Sequence, residues 1–355
     1  MPREWAILEH TDEVLPLLDL VGGYSVVARL LAQRGVRDVA SARAFLDPAH
    51  YAPSSPFSLP GMQAAVDLVR AAVARGEKIR IWGDFDADGQ TAAAVLYEAL
   101  RAMGAEVDCR LPQRRDGHGL PIRAIEEAVS DGVVLLLTCD TGIGENEAIE
   151  RGIALGLKII VTDHHDLPDV LAPAHVVVNP KMLASNHPLR ELAGVGVAYM
   201  VARALLEEGK GAVTGQSAVT GKSAVHGESA AILESLLDLV AVGLVADMSV
   251  QVGEVRYLIQ RGLSVLRRAA RPGLRALMMV AGDDPAVADE STIGYHLGPR
   301  LNAAGRLADA TWGLRLLLTR DEQEALELAE YLESLNRDRQ ARTEALSAEV
   351  DALLR

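Results

Sequence analysis

Between residues 78 and 179 the sequence alternates two kinds of pattern. Five short runs, KIRIWG, EVDCRLP, VVLLLTC, LKIIVT and HVVVN, are rich in Val, Ile and Leu. Helix-like stretches separate them at 90–104, 121–131 and 145–155. Apolar strands alternating with helices predict a parallel sheet covered on both faces, because a strand with one wet face would alternate apolar and polar residues instead. The fold class is therefore α/β: a parallel β-sheet flanked by helices, then a helical segment and a long C-terminal connecting helix. Sheets of this kind take ligands at the carboxyl ends of their strands.

Residues 1–77 read as an N-terminal helical region packing on the core. Within it VVARLLAQRG and GMQAAVDLVRAAVARGE have helical spacing. Residues 78–250 read as the α/β domain and 251–318 as a helical part carrying GPRLNAAGR. Residues 319–355 read as one long helix, opened by a capping-box signature, Thr319 to Glu322. Inside the α/β domain, residues 211–230 repeat a near-constant six-residue unit of small and polar residues, the composition of a flexible surface insertion. Its GQSAVTGKS imitates a phosphate-binding P-loop. Five residues, Gln216 to Thr220, separate its glycines where that loop has four, and no strand precedes it.

Lys plus Arg number 35 and Asp plus Glu 49, a net charge of −14. That balance excludes a uniformly basic nucleic-acid binder held by net attraction. It leaves room for a local basic groove and for a metal site made of carboxylates. Aromatic residues make up 4%, so the core must be Leu, Val, Ile and Ala. Two cysteines, Cys109 and Cys139, cannot build a disulfide framework and fit a reducing, cytoplasmic compartment. The acidic N-terminus has no apolar stretch of signal-peptide type. No uncharged apolar run of about 18 residues occurs, so no membrane-spanning helix is expected.

Polar clusters follow three of the strands. Asp84, Asp86 and Asp88 come directly after KIRIW, in a strand-to-helix loop. Three acids so close repel one another and point to a bound cation rather than a solvated turn. An EF-hand calcium loop is excluded, because its twelfth position would be Val95, which cannot ligate. Asp140 follows VVLLLTC, where an acid could equally cap the next helix. Asp163, His164, His165 and Asp166 follow LKIIVT, and imidazole with carboxylate suits zinc or manganese-type ions. Asp238 sits among leucines, where an acid is costly unless paired or metal-bound. Asp247, nine residues later, reads as the end of the same helix. Together these groups suffice for two divalent ions, the arrangement that activates water and stabilises the leaving oxygen in phosphoester hydrolysis. The absence of thiolates favours manganese or magnesium over structural zinc.

GDFDADG, DTG, TDHH and the Asp238 helix, in this order, resemble the four motifs of the DHH phosphoesterase superfamily, and within it the RecJ-type single-strand-specific 5′ exonucleases. QRRDGHGL at 113–120, NP at 179–180, LAGVGVAYMVA at 192–202, LDLVAVGLVADM at 237–248 and GPRLNAAGRL at 298–307 carry the likeness, as does the N-terminal QRGVRDVASARAFLDP. The resemblance implies that Asp84, Asp86 and Asp140 hold one metal. Asp88, Asp140, His164 and Asp238 would hold a second, with Asp140 shared. It gives His165 the scissile phosphate and Asp163 the task of orienting a histidine. Two manganese or magnesium ions are the implied cofactors.

The resemblance also lines a nucleic-acid path with Arg300, Asn302 and Arg306, and with His118 of the GHGL loop; Arg114, Arg115 and Arg123 flank that loop and could contact phosphate. His118 replaces a common Tyr, and Leu244 and Val255 replace polar residues. Arg256, Arg261, Arg267, Arg268, Arg271 and Arg275 form either a solvated helix face or a phosphate track. The glycine-rich, His-containing loop and OB-fold of the family do not follow the long helix, so the sequence is expected to match the metal-bearing half. The implied activity is 5′-to-3′ exonuclease action on single-stranded DNA in repair and recombination. Implied partners are that strand and, with it, a single-strand-binding protein or helicase. Two other readings stand beside it. One is a phosphoesterase acting on short oligonucleotides or cyclic dinucleotides, and the other is an inactive metal- or DNA-binding module.

Overall fold

The structure is a computed structural model that describes residues 15–113, 117, 119–207 and 222–353. Arg114, Arg115, His118 and most of the predicted insertion lie outside the described residues. The insertion's last part differs from expectation, because Lys222 already begins a helix that runs to Ser235.

Five strands form one sheet: β1 (Ile79–Gly83), β2 (Val107–Arg110), β3 (Leu135–Cys139), β4 (Lys158–Thr162) and β5 (Val176–Val178). All neighbours are parallel and the order is β2-β1-β3-β4-β5. The chain moves to one side of β1 for β2 and to the other side for β3. The crevice above the carboxyl ends of β1 and β3 is therefore the place where such a sheet accepts a ligand.

Alternate strand residues serve two cores. Ile79, Ile81, Leu135, Leu137 and Ile160 belong to the larger apolar cluster, and Trp82, Leu136, Ile159 and Val161 to a second one. Both faces are dry, which explains the continuous apolar runs.

The N-terminal region holds α1 (Leu15–Leu18), α2 (Ser25–Gln33), α3 (Val39–Leu46) and α4 (Met62–Ala74). Its first three helices have a small core of their own around Leu17, Ala28 and Leu31. In the α/β domain α5 (Ala87–Ala102) follows β1, α6 (Ile122–Ser130) precedes β3 and α7 (Asn146–Ala154) follows it. Beyond the sheet come α8 (Gly194–Leu206), α9 (Lys222–Ser235) and α10 (Leu237–Ala246). Helices α5, α8 and α10 are mostly buried because they pack on the sheet and on one another. Helices α6 and α7 cover the opposite face.

The stretch Gly227–Ala246 is long and apolar enough to cross a membrane, yet 56% of its apolar 18-residue window is buried inside the protein. Its length therefore reflects a core helix pair.

The helical part comprises α11 (Gly253–Leu266), α12 (Pro272–Ala281), α13 (Gly298–Leu307) and α14 (Thr311–Leu318). A π-helical turn, Thr292–Leu297, runs directly into α13. The long helix α15 spans Glu322–Leu353. Its cap is Asp321 rather than Thr319: Asp321 Oδ1 accepts the Glu324 N–H at 2.8 Å. Thr319 accepts the Asp321 N–H one step earlier.

Candidate metal centre

β1 ends at Gly83 and delivers the buried Asp84 to the sheet's carboxyl edge. Two residues later Asp86 caps α5. Its Oδ1 accepts the N–H groups of Asp88 and Gly89, each at 3.0 Å, which satisfies donors the helix leaves free and sets a negative charge against its positive end. Asp88 points from the first turn of α5 toward α8. It accepts the N–H groups of Gly194 at 2.7 Å and Val195 at 2.9 Å, so it anchors the start of that helix.

Asp140 is the residue after β3, and its backbone turns left-handed at φ 61°. Asp tolerates this region better than most residues, although the conformation still costs free energy. The turn is held by Thr138 Oγ1, which donates to the Thr141 carbonyl at 2.7 Å. Helix α8 presses on it from above: a Cβ at Gly194 would lie 2.4 Å from that of Asp140.

β4 ends at Thr162, and Asp163 organises the turn beyond it. Its Oδ2 accepts the Ile143 N–H at 2.9 Å. Its Oδ1 accepts the N–H groups of His164 and His165 and lies 2.7 Å from His165 Nδ1. Burial pushes Asp163 up, but these hydrogen bonds outweigh it and hold the carboxyl below its ordinary value. The same contact raises His165 to about 9, so its ring carries a charge at neutral pH. Burial, with the neighbouring His165 charge, lowers His164 to about 4 and leaves its ring neutral. His164 thus turns a neutral ring to the carboxylates, and His165 a charged ring toward solvent.

His164 Nε2 stands 3.0 Å from Asp140 Oδ1 and 3.8 Å from Asp88 Oδ2. That Asp140 oxygen is buried and accepts no hydrogen bond. Burial and the neighbouring aspartates push both Asp88 and Asp140 well above the carboxylate range. Buried acids facing one another and a neutral imidazole are the donor set of a hard or borderline divalent cation.

Three overlapping groups have ligand atoms within 4.8 Å of one another: Asp84, Asp86 and Asp140; Asp88, His164 and Asp247; Asp140, His164 and His165. Asp140 and His164 are each shared between two of them, which suits two adjacent ions.

The expected fourth ligand is corrected. Asp238 occurs in none of these groups. Its Oδ2 accepts Arg271 Nε at 2.9 Å, and the same guanidinium takes Glu98 at 2.7 Å and the carbonyls of Leu317 and Ser235. Asp238 is paired by the protein's own cation. Nine residues of α helix separate it from Asp247 by about 13 Å, so one site cannot use both. Asp247, at the C-terminal end of α10, is the residue at the centre; burial raises it to about 6. A signal for it existed in the sequence: an acid at a helix C-terminus opposes the dipole, and no basic residue in that last turn compensates.

The predicted nucleic-acid residues divide. Arg300 is buried, with Nε donating to Glu333 Oε2 of α15 at 2.7 Å, so it is structural. Asn302 turns its Oδ1 to the Ala87 N–H at 2.7 Å and bolts α13 to the first metal loop. Gln90 adds to this joint by donating to the carbonyls of Phe85 and Leu301. Gly305 packs so closely that a Cβ there would lie 2.7 Å from the Phe85 carbonyl oxygen. Arg306 alone of the three is exposed and unpaired among the described residues.

The arginines of the rich stretch already have partners within the protein, although Arg268 meets its own at only 3.3 Å with most of its side chain exposed. Arg256 binds the Phe45 carbonyl, Arg261 and Arg268 bind Glu234, Arg267 the Ala288 carbonyl, Arg271 Asp238 and Glu98, and Arg275 Glu322.

Fold and site define a parallel α/β protein with a carboxylate–imidazole cluster, a candidate metal centre, at its sheet switch point. The profile of the DHH family, N-terminal domain, matches residues 78–244. The single-stranded-DNA-specific exonuclease RecJ of Bacillus subtilis (strain 168) is 37% identical over 330 residues, covering 93% of this chain and 39% of that protein. The protein of that name from Dickeya dadantii (strain 3937) is 40% identical over 326 residues, covering 89% and 53%. A crystal structure of exonuclease RecJ bound to manganese superposes with a TM-score of 0.72 at 32% identity, over 84% of this chain and 71% of that one. The chain belongs to the DHH family, in its RecJ branch. It spans about half the length of the curated relatives it matches.

Proposed function

We propose that this chain is the metal-bearing part of a cytoplasmic 5′-to-3′ exonuclease that hydrolyses phosphodiester bonds of single-stranded DNA and releases mononucleotides for repair and recombination. The observation that carries the reading is the convergence of Asp84, Asp86, Asp88, Asp140, His164 and Asp247 from three strand ends and one helix end. Similarity to the RecJ exonucleases supports the substrate. A single-strand-binding protein or a helicase would deliver that substrate.

Asp84, Asp86 and Asp140 would hold one divalent ion, and Asp88, Asp140, His164 and Asp247 the other. Manganese or magnesium there supplies charge to the reacting phosphate and acidifies water. The protein's own part is positioning. Charged His165, exposed beside the cluster, holds a phosphate oxygen of the scissile group. Asp163 keeps that ring charged and fixed in rotation.

The test is manganese-dependent release of mononucleotides from a 5′-labelled single strand by this chain. Asp140→Ala should abolish it, and activity near the wild-type level in that variant would refute the shared-ligand assignment. Equal turnover of a dinucleotide and a long strand would favour a phosphoesterase of short oligonucleotides. Manganese binding with no turnover would favour an inactive module.

A further inference from the structure

A cleft of about 290 Å³ opens beside the centre, lined by His164, His165 and Asp247 and continuing past them to Lys181, Glu191, Met248 and Val250. None of these last four residues belongs to a candidate ligand group. Lys181 is the one Lys or Arg among the described residues lining the cleft. Its backbone is fixed: Asn179 Oδ1 accepts its N–H at 2.8 Å, and Arg190 donates to its carbonyl at 2.7 Å. Among the described residues its ammonium pairs with Glu191 alone, at 3.4 Å, with 22% and 36% of the two side chains exposed. A long contact at partial exposure is a weak one and yields readily to a better anion.

Met248 supplies the other chemistry. It is 88% exposed and its backbone is left-handed at φ 59°. That conformation is costly for an unbranched apolar residue, and it holds the thioether out in water beside the cleft. Val250 extends the apolar surface at 57% exposure.

A fixed cation and an exposed apolar wall, next to a metal centre, match the two halves of one nucleotide. We propose that this arm of the cleft is a nucleotide subsite. Lys181 binds a phosphate adjacent to the scissile one, Glu191 competes with that phosphate for the ammonium, and Met248 with Val250 contacts the base or sugar. This rests on the nucleic-acid reading of the metal centre and adds a residue-level account of where the neighbouring nucleotide sits.

The experiment is binding of a 5′-labelled oligothymidylate without divalent ions, by fluorescence anisotropy over a series of salt concentrations. Lys181→Gln should weaken binding about tenfold and reduce the slope of log K against log salt by about 0.7, the loss of one single-strand phosphate contact. Lys181→Arg should restore the slope. Glu191→Gln should tighten binding about two- to threefold by freeing the ammonium. A wild-type slope in Lys181→Gln would overturn the subsite, as would weaker binding in Glu191→Gln, because the pair would then serve only to hold its loop. Failure of the wild-type chain to bind the strand at all would instead strike the nucleic-acid reading itself.

Discussion

Helix α10 carries an aspartate at each end, and the two meet opposite surroundings. Asp238 is buried against Arg271, whose guanidinium is shared with Glu98 and two carbonyls. Asp247 faces Asp88 and His164 and makes no ion pair with an arginine among the described residues. A buried acid that has a resident cation is finished as structure. A group of acids without one is incomplete until something positive arrives, and the sequence pattern of an acid in an apolar helix does not distinguish the two.

The sharpest way to break this comparison is to remove each acid in turn. Asp247→Asn should lower manganese affinity by more than about 100-fold, because even residues that only orient a ligand cost 10–100-fold; titration calorimetry measures it, and thermal stability without metal should hardly change. Asp238→Ala should do the reverse. Stripping one partner from a buried pair costs about 3–5 kcal/mol, read as a lower urea midpoint, with manganese affinity within about threefold of wild type. If Asp238→Ala lost the metal while keeping its stability, the two ends would have been assigned the wrong way round.

Gly194→Ala should act between these extremes. The added methyl meets Asp140, so manganese binding should weaken by about tenfold with a modest loss of stability. The arginines of α13 extend the contrast to the substrate. Arg306→Ala should weaken single-strand binding a few-fold at unchanged Tm, whereas Arg300→Ala should lower Tm by removing the buried partner of Glu333 Oε2 and leaving that carboxylate only Arg337. Equal behaviour of the two in both assays would undo their separation.

The smallest effect is acid sensitivity at another paired acid. Arg80, itself buried, holds Asp108 at 2.6 Å and Asp131 at 2.7 Å. Burial opposes the shift at Asp108, but Arg80 and Lys78 bring its carboxyl below the ordinary value. Its contribution is therefore whole above the unfolded carboxylate pKa of about 3.9 and is lost as pH falls through the lower folded value. The wild-type Tm should fall more steeply than that of Asp108→Asn below about pH 4.

The sheet and most of the centre were legible because both depend on short-range patterns. Apolar runs marked the strands, and acids immediately after KIRIW, VVLLLTC and LKIIVT marked where the carboxyl edge would gather them. The features that escaped depend on contacts across the chain. Arg300 and Glu333 are 33 residues apart, and Arg271 reaches Glu98 over 173. No local pattern separates such an arginine from one that waits for phosphate. The choice between Asp238 and Asp247 failed similarly, since a helix repeat says which face a residue shares but not which end meets the ligand.

The joint between α13 and the first metal loop has a mechanical meaning. Asn302, Gln90 and the flush fit of Gly305 on Phe85 leave that helix no slack against the loop bearing Asp84 and Asp86. A strand gripped at Arg306, one residue past Gly305, would pull on a rigid bracket rather than on a hinge. The spacing between that grip and the carboxylate cluster would then stay constant while the strand is held.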